Sequence, residues 1–314
     1  MSRLQAFGDI LLPHEAAEPI LARPVREALL EWLTEIWAAK ELEAVGLKPR
    51  RRALFTGVPG TGKTTLAHHL AARLGLRMLV VRAEKLRSMY SSASASQVGN
   101  LFDAVRAEKE PLFLFFDEFD SIASKRMNTG HNPSSENDHN LTVNVMLSHF
   151  DRHDGFIVAA TNYGDRIDEA LWRRFEIQVN IEPPGDAERR HIISRYLAPF
   201  MLPESALAAL SEALSSATPA LIRQFCEHIK RQLVVGPKAG WDMDRAAVIA
   251  RLVASVNPHP EAGKPRLWSH GANDKAIARL PWPLSKSLAD YPSADASDAP
   301  GQVVDLAAAR KGGA

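Results

Sequence analysis

Apolar residues recur along this chain in two alternating rhythms. Short runs with few polar positions stand at "ALFT" (from residue 53), "MLVV" (78), "LFLFF" (112), "FIVAA" (156) and "IQVNI" (177). Runs this short have the length of strands rather than helices. Between them, apolar positions recur three or four apart: Val25, Leu29, Trp32 and Ile36; Leu66, Ala67, Leu70 and Leu74; Val98, Leu101, Phe102 and Val105. That spacing predicts helices, the first over residues 24–40 with Pro24 in its opening turn. Strands apolar on both faces that alternate with helices predict a parallel, five-stranded sheet covered on both sides, a three-layer α/β sandwich. Residues 171–179, "LWRRFEIQV", read as a buried strand with Arg173 and Arg174 side by side at its entrance. These two charges are either solvated at a strand end or held there to meet an anion.

The rhythm breaks at residues 182–188, "EPPGDAE". Beyond it only helical patterns follow, over residues 187–197, 204–214, 219–235 and 242–256. Thr218 before Pro219 predicts the third start, a hydroxyl cap followed by proline in the first turn. A domain boundary is expected near Pro184, dividing a large domain (21–184) from a helical one (185–256). From Asn257 to the end the chain is rich in Pro, Ser, Ala, Gly and Asp, and disorder is the expectation. The island "LPWPL" at 280–284 is either a partner-docking motif or a stretch that packs back on its own protein.

Composition narrows the classes. The chain has 314 residues, 46% hydrophobic, with Lys+Arg 38 against Asp+Glu 37. So even a balance gives no overall field toward nucleic acid or anionic lipid. The basic run "KPRRR" (48–52) directly precedes a strand and reads as a solvated strand entrance or a local nucleic-acid patch. No apolar run is long enough to span a membrane, and the first residues lack a secretory pattern. One cysteine, Cys226, cannot form an internal disulfide, in keeping with a reducing compartment. A cytoplasmic location is therefore expected. Cys226 lies among Ile222, Phe225 and Ile229 and reads as core.

Candidate chemistry begins at "GVPGTGKT", residues 57–64. Gly57, Val58, Pro59, Gly60, Thr61, Gly62, Lys63 and Thr64, with Thr65 after them, follow a strand run and open a helical one. A glycine-rich turn there directs backbone N–H groups around phosphates, and the helix N-terminus adds positive potential. Lys63 would reach the β and γ phosphates, and the Thr64 hydroxyl would hold Mg²⁺. The run 112–116 delivers Asp117 and Glu118 to a strand's C-terminal end, where open parallel sheets bind ligands. Asp117 is suited to orient Mg²⁺ through water, and Glu118 to polarise an attacking water. Asn162, ending the run from 156, could bond the γ phosphate or that water, or simply cap a turn.

Together these motifs resemble the AAA+ ATPases, in particular AAA-type members with a second region of homology. The resemblance implies ATP and Mg²⁺ as cofactors, Lys63 and Thr64 as Walker A, Asp117 and Glu118 as Walker B, and Asn162 as sensor 1. It implies a C-terminal helical lid, and an N-terminal segment (1–20, with "DILLP" at 9–13) that lines an adenine pocket. "IDEALWRRF" (167–175) is similar to the family's arginine motif, so Arg174 and Arg173 would cross a subunit interface toward the neighbour's γ phosphate. No spacer separates the two arginines here. "LRSMYSSASAS" (86–96) lies where family members that thread polypeptide carry a pore loop. Met89 and Tyr90 fall at the pore position, with Ser92 where glycine is usual.

These implications add up to an ATP-hydrolysing homo-oligomer, a hexamer, that remodels a protein partner without membrane or nucleic acid. The alternatives are a nucleotide-dependent switch or scaffold that threads nothing, and an ATPase that assembles on DNA.

Overall fold

The computed structural model describes residues 3–86, 93–126 and 133–291. In chain order it begins with β1 (Gly8–Leu11), α1 (Arg23–Trp37), α2 (Ala39–Ala44) and β2 (Arg52–Thr56). Then come α3 (Lys63–Arg73), β3 (Arg77–Val81), α4 (Ala83–Leu86), α5 (Ala93–Arg106) and β4 (Leu112–Phe116). The large domain closes with α6 (Asp120–Ala123), α7 (Pro133–Arg152), β5 (Phe156–Thr161), α8 (Glu169–Trp172) and β6 (Ile177–Asn180).

The strands form one sheet in the order β1-β3-β4-β5-β2-β6. The five expected strands, β2 to β6, pair in parallel. Gly8–Leu11 adds a sixth that the sequence pattern did not announce, antiparallel to β3 at the sheet edge. Alternation along each strand sorts side chains into two cores. In β4, Leu112, Leu114 and Phe116 join Leu101, Phe102, Met146 and Phe150 on one face. Phe113 and Phe115 join Leu29, Trp32, Leu66 and Leu70 on the other. A strand apolar at every position therefore needs both helical layers.

β1 stands at the sheet edge beside β3. The chain returns over α3, where the Leu12 carbonyl lies 2.9 Å from His68 Nε2. The apolar pair Leu171 and Trp172 belongs to α8, not to the last strand. Buried Asp168 caps that short helix by accepting from Ala170 N at 3.0 Å and Leu171 N at 3.4 Å. Within "KPRRR", Arg50 is clasped by Glu35, and Arg51 and Arg52 take Glu176 on their backbone N–H groups.

The lid comprises α9 (Asp186–Leu197), α10 (Glu204–Ala213), α11 (Pro219–Val235) and α12 (Arg245–Ser255). Thr218 caps α11 through Leu221 N, with Pro219 in the first turn, as its dipeptide predicted. Ile193, Leu210, Ile222, Phe225, Ile249 and Leu252 are its core. Cys226 lies within it, and burial pushes its thiol up to about 12.

The expectation of disorder from Asn257 onward is corrected over residues 257–291. Helices α13 (Arg266–His270) and α14 (Lys275–Arg279), joined by the 3-10 turn Gly271–Asn273, lie on the lid. Leu267, Trp268, Ile277, Leu280 and Leu284 are buried in the lid core. Sparse apolar residues were enough because they meet a surface already built by the lid helices: α14 packs on α10, and Trp268 lies edge to face on Phe225 of α11. The "LPWPL" island packs back on its own chain, and Trp282 Nε1 donates to the Met243 carbonyl at 2.8 Å. Asp274 is almost wholly buried, caps α14 and takes Arg266 at 2.9 and 3.2 Å. Residues 292–314 lie outside the described residues.

Candidate nucleotide site

Strands β4, β5 and β2 are neighbours and run parallel, so their C-terminal ends share one edge. That edge collects Asp117 and Glu118 after β4, Asn162 after β5 and residues 57–64 after β2. Ligands of open α/β sheets bind at such edges.

The loop closes around its own lysine. Lys63 Nζ donates to the Gly57 carbonyl at 2.7 Å, the Val58 carbonyl at 3.1 Å and Asn162 Oδ1 at 2.7 Å. The side chain is buried, and burial holds its pKa below the usual lysine value, opposed by the charges of Asp117 and Asp120. An anion placed here would meet an ammonium short of counter-charge. Gly62, at φ 95°, precedes α3, and no side chain caps that helix. A helix start without a capping side chain leaves first-turn N–H groups suited to a phosphate. Gly57 has φ 147°, and a Cβ there would stand 2.3 Å from the Ile181 carbonyl. A cavity of about 370 Å³ beside the loop is lined by Gly57, Val58, Asn162, Asn180 and Glu182 among others. These residues fit a nucleotide polyphosphate.

The cation side is equally local. Thr64 Oγ1 donates to Asp117 Oδ2 at 2.8 Å, and Asp117 Oδ1 accepts from Glu118 N at 3.0 Å. A hydroxyl and a carboxylate side by side are the hard oxygen donors Mg²⁺ takes. Glu118 has φ 49°, unusual for a residue with a side chain, and its carboxylate is exposed. Strain of this kind concentrates at functional sites. Val58, Pro59, Thr61 and Thr65 complete the loop and its first helical turn, with Thr61 Oγ1 donating to the Val58 carbonyl at 3.1 Å.

Sequence reasoning passed over two residues here. Asp120 Oδ1 accepts from Thr161 Oγ1 at 2.5 Å, and Thr161 Oγ1 in turn accepts from Tyr163 N at 2.9 Å. The acid three positions after Asp117 was the available signal.

The arginines lie apart from this cluster. Arg174 Nε and Nη2 donate to Asp151 Oδ1 and Oδ2 at 2.6 and 3.0 Å. Arg173 is 76% exposed, with Glu169 its nearest carboxylate at 3.9 Å. Met89 and Tyr90 lie outside the described residues. A second, larger cavity of about 870 Å³ sits at the opposite end of the sheet. Arg73, Arg106 and Arg152 line it from the last turns of α3, α5 and α7, where they complement helix dipoles.

Residues 53–183 match the family described as "ATPase family associated with various cellular activities (AAA)". The chain contains an AAA ATPase module. An uncharacterized AAA family ATPase, y4kL of Sinorhizobium fredii, is 36% identical over 186 residues, covering 59% of this chain and 53% of that protein. The ATP-dependent zinc metalloprotease FtsH 3 of Sorangium cellulosum is 32% identical over 202 residues, 62% of this chain and 32% of that one. The peroxisomal ATPase PEX1 of Komagataella phaffii is 36% identical over 178 residues, 55% and 15% respectively. The chain thus spans about half, or less, of the length of these curated relatives. The crystal structure of the FIGL-1 AAA domain shares the fold of the AAA module, with TM-score 0.62 and 23% identity over 80% of this chain and 86% of that one. Among the described residues no helix is long and apolar enough to cross a membrane.

Proposed function

We propose that the AAA module binds and hydrolyses ATP with Mg²⁺, works as a ring of identical subunits, a hexamer, and uses turnover to remodel a protein partner. The observation that carries this reading is the meeting of Lys63, Asn162, Thr64 and Asp117 within hydrogen-bond reach at one sheet edge. Lys63 and the uncapped start of α3 would hold the phosphates. Thr64, and Asp117 through water, would hold Mg²⁺, which supplies charge neutralisation for the transferring phosphoryl group. Glu118 would polarise the attacking water, and Asn162 would orient it or the γ phosphate. Arg174 and Arg173 would serve the neighbouring subunit's site, since a guanidinium keeps its charge and offers paired donors to phosphate oxygens. The relation to FtsH 3, whose name states ATP dependence, supports turnover rather than binding alone.

The second reading is an assembly switch that threads nothing. The serine-rich stretch 86–96, with Ser92 at the usual glycine position, favours it. Steady-state ATPase assays with unfolded protein, with DNA and with neither separate the two. Stimulation by unfolded protein supports remodelling. A rate indifferent to every addition, alongside ATP-dependent assembly, supports the switch, and no ATP turnover under any condition sinks the enzymatic reading.

A further inference from the structure

The lid meets the rest of the chain through hydrogen bonds of different kinds. Ala220 N donates to the Gly60 carbonyl at 3.2 Å, and Arg195 Nη1 donates to the Glu18 carbonyl at 2.7 Å. The Tyr163 hydroxyl donates to Glu261 Oε1 at 2.7 Å. Of these three, only the last is made by side chains at both ends, so it can break without moving either backbone.

Its two ends are fixed to different bodies. Tyr163 directly follows Asn162, whose Oδ1 takes Lys63, and Tyr163 N is tied back to Thr161 Oγ1 at 2.9 Å. The Arg166 guanidinium lies 3.8 Å over the Tyr163 ring and limits its swing. Glu261 stands in the 3-10 turn Pro260–Ala262, whose Ala262 is buried, five residues before α13. Leu267 and Trp268 of α13 are in the lid core, and Trp268 Nε1 donates to the Val256 carbonyl at 2.5 Å. Glu261 therefore travels with the lid, while Tyr163 travels with the strand end that carries Asn162.

We infer that Tyr163 and Glu261 form a latch between the lid extension and the end of β5, and that as positioning residues they retain bound nucleotide. While the bond is made, the lid and the Asn162 strand end are held in one arrangement on either side of the loop. When it breaks, the lid is free to lift. The retention role rests on the nucleotide-binding reading above; the latch itself does not.

Tyr163→Phe removes the hydroxyl but keeps a ring beneath Arg166. Glu261→Ala removes the acceptor, and Glu261→Gln keeps one. Hydrogen exchange of the nucleotide-free, full-length protein should rise about two- to tenfold on both sides of the contact, at 162–166 and 259–263, in Tyr163→Phe and in Glu261→Ala. Glu261→Gln should stay near wild type. The double variant should exceed neither single, because both remove one shared bond. Release of N-methylanthraniloyl-ADP should quicken by the same factor in the same variants, with its association rate unchanged. A double variant equal to the product of the singles, or exchange confined to the altered side, overturns the latch. Unchanged release in both singles overturns the retention role. Wild-type protein that does not bind the labelled ADP sinks the phosphate-loop reading and the retention role with it, while the exchange pattern still decides the latch.

Discussion

Arg174 and Asp151 face each other as a two-point pair, 2.6 and 3.0 Å apart, because their chain neighbours pack against one another. Phe150 and Phe175 meet edge to face with centroids 5.8 Å apart, and both touch Phe119, two residues beyond Asp117. The guanidinium thus has a fixed bearing set by the core beneath it. Asp151 is held below the usual carboxylate range by its bond to Arg174.

If Arg174 serves a neighbouring site, Arg174→Ala should bind ATP almost normally yet turn it over about 10³-fold or more slowly. Asp151→Asn should slow turnover too, by freeing Arg174, while changing thermal stability by less than about 1 kcal/mol, since the pair is half exposed. Mixing decides between subunits. Arg174→Ala and Glu118→Gln proteins, each nearly inactive, should recover activity together when subunits exchange, in a ratio-dependent way. No recovery after verified exchange refutes action across the interface. Repeating the mixture with Arg173→Ala separates the exposed arginine from the paired one.

Lys63→Ala removes the ammonium whose acceptors are all in the loop and Asn162. The rise in melting temperature given by ATP should disappear, while the melting temperature without nucleotide changes little, because an amine whose charge burial opposes adds little to stability. Glu118→Gln should keep the ATP-induced rise and lose turnover. Calorimetry and phosphate release read the two outcomes.

Gly60 has φ +82°, and a Cβ there would stand 2.9 Å from Ala220 Cβ and 3.0 Å from Thr218 Oγ1. Gly60→Ala should push the start of α11 off the loop. A loss of about 1–3 kcal/mol in unfolding free energy by denaturant titration, with faster hydrogen exchange at 218–222, is the expected result. Unchanged exchange there would show that the lid does not rest on this glycine.

His153 is held down to about 4 by burial first, then by Arg52, with Arg106 and Arg51 adding to the effect and Asp154 opposing it. A folded pKa below the unfolded value of 6.5 means that the unfolded chain binds more protons between them. Stability should therefore fall as pH drops from 6.5 toward about 4, by up to about 3 kcal/mol from this residue. Urea midpoints of wild type and His153→Gln across that window test it. The variant should show a shallower slope, and parallel curves would refute the assignment.

Trp268 and Ile277 hold residues 257–291 on the lid. Ile277→Ala should cost about 2–5 kcal/mol and Trp268→Ala about 3–5 kcal/mol, as for other buried side chains of their size. A melting temperature close to wild type in both would mean that the extension is dispensable to the lid.

The sequence by itself determined the parallel strands, the helical lid and the order of the phosphate-loop residues. Each of these is written in short-range pattern: doubly apolar runs, helical spacing, a glycine-rich turn between strand and helix, and Thr218 before Pro219. What lies far apart in the chain was decided by packing. The place of Gly8–Leu11 depends on a free edge of β3, which no local pattern reveals. Residues 257–291 look too polar to fold alone, and they order because α10, α11 and α12 offer a finished apolar surface. The pairing of Arg174 with Asp151, 23 positions away, follows from how Phe150 and Phe175 pack. The Tyr163 to Glu261 bond spans 98 positions and exists only because the lid folds back over the sheet edge. Local propensity fixes what each segment becomes; burial of its apolar face fixes what it stands beside.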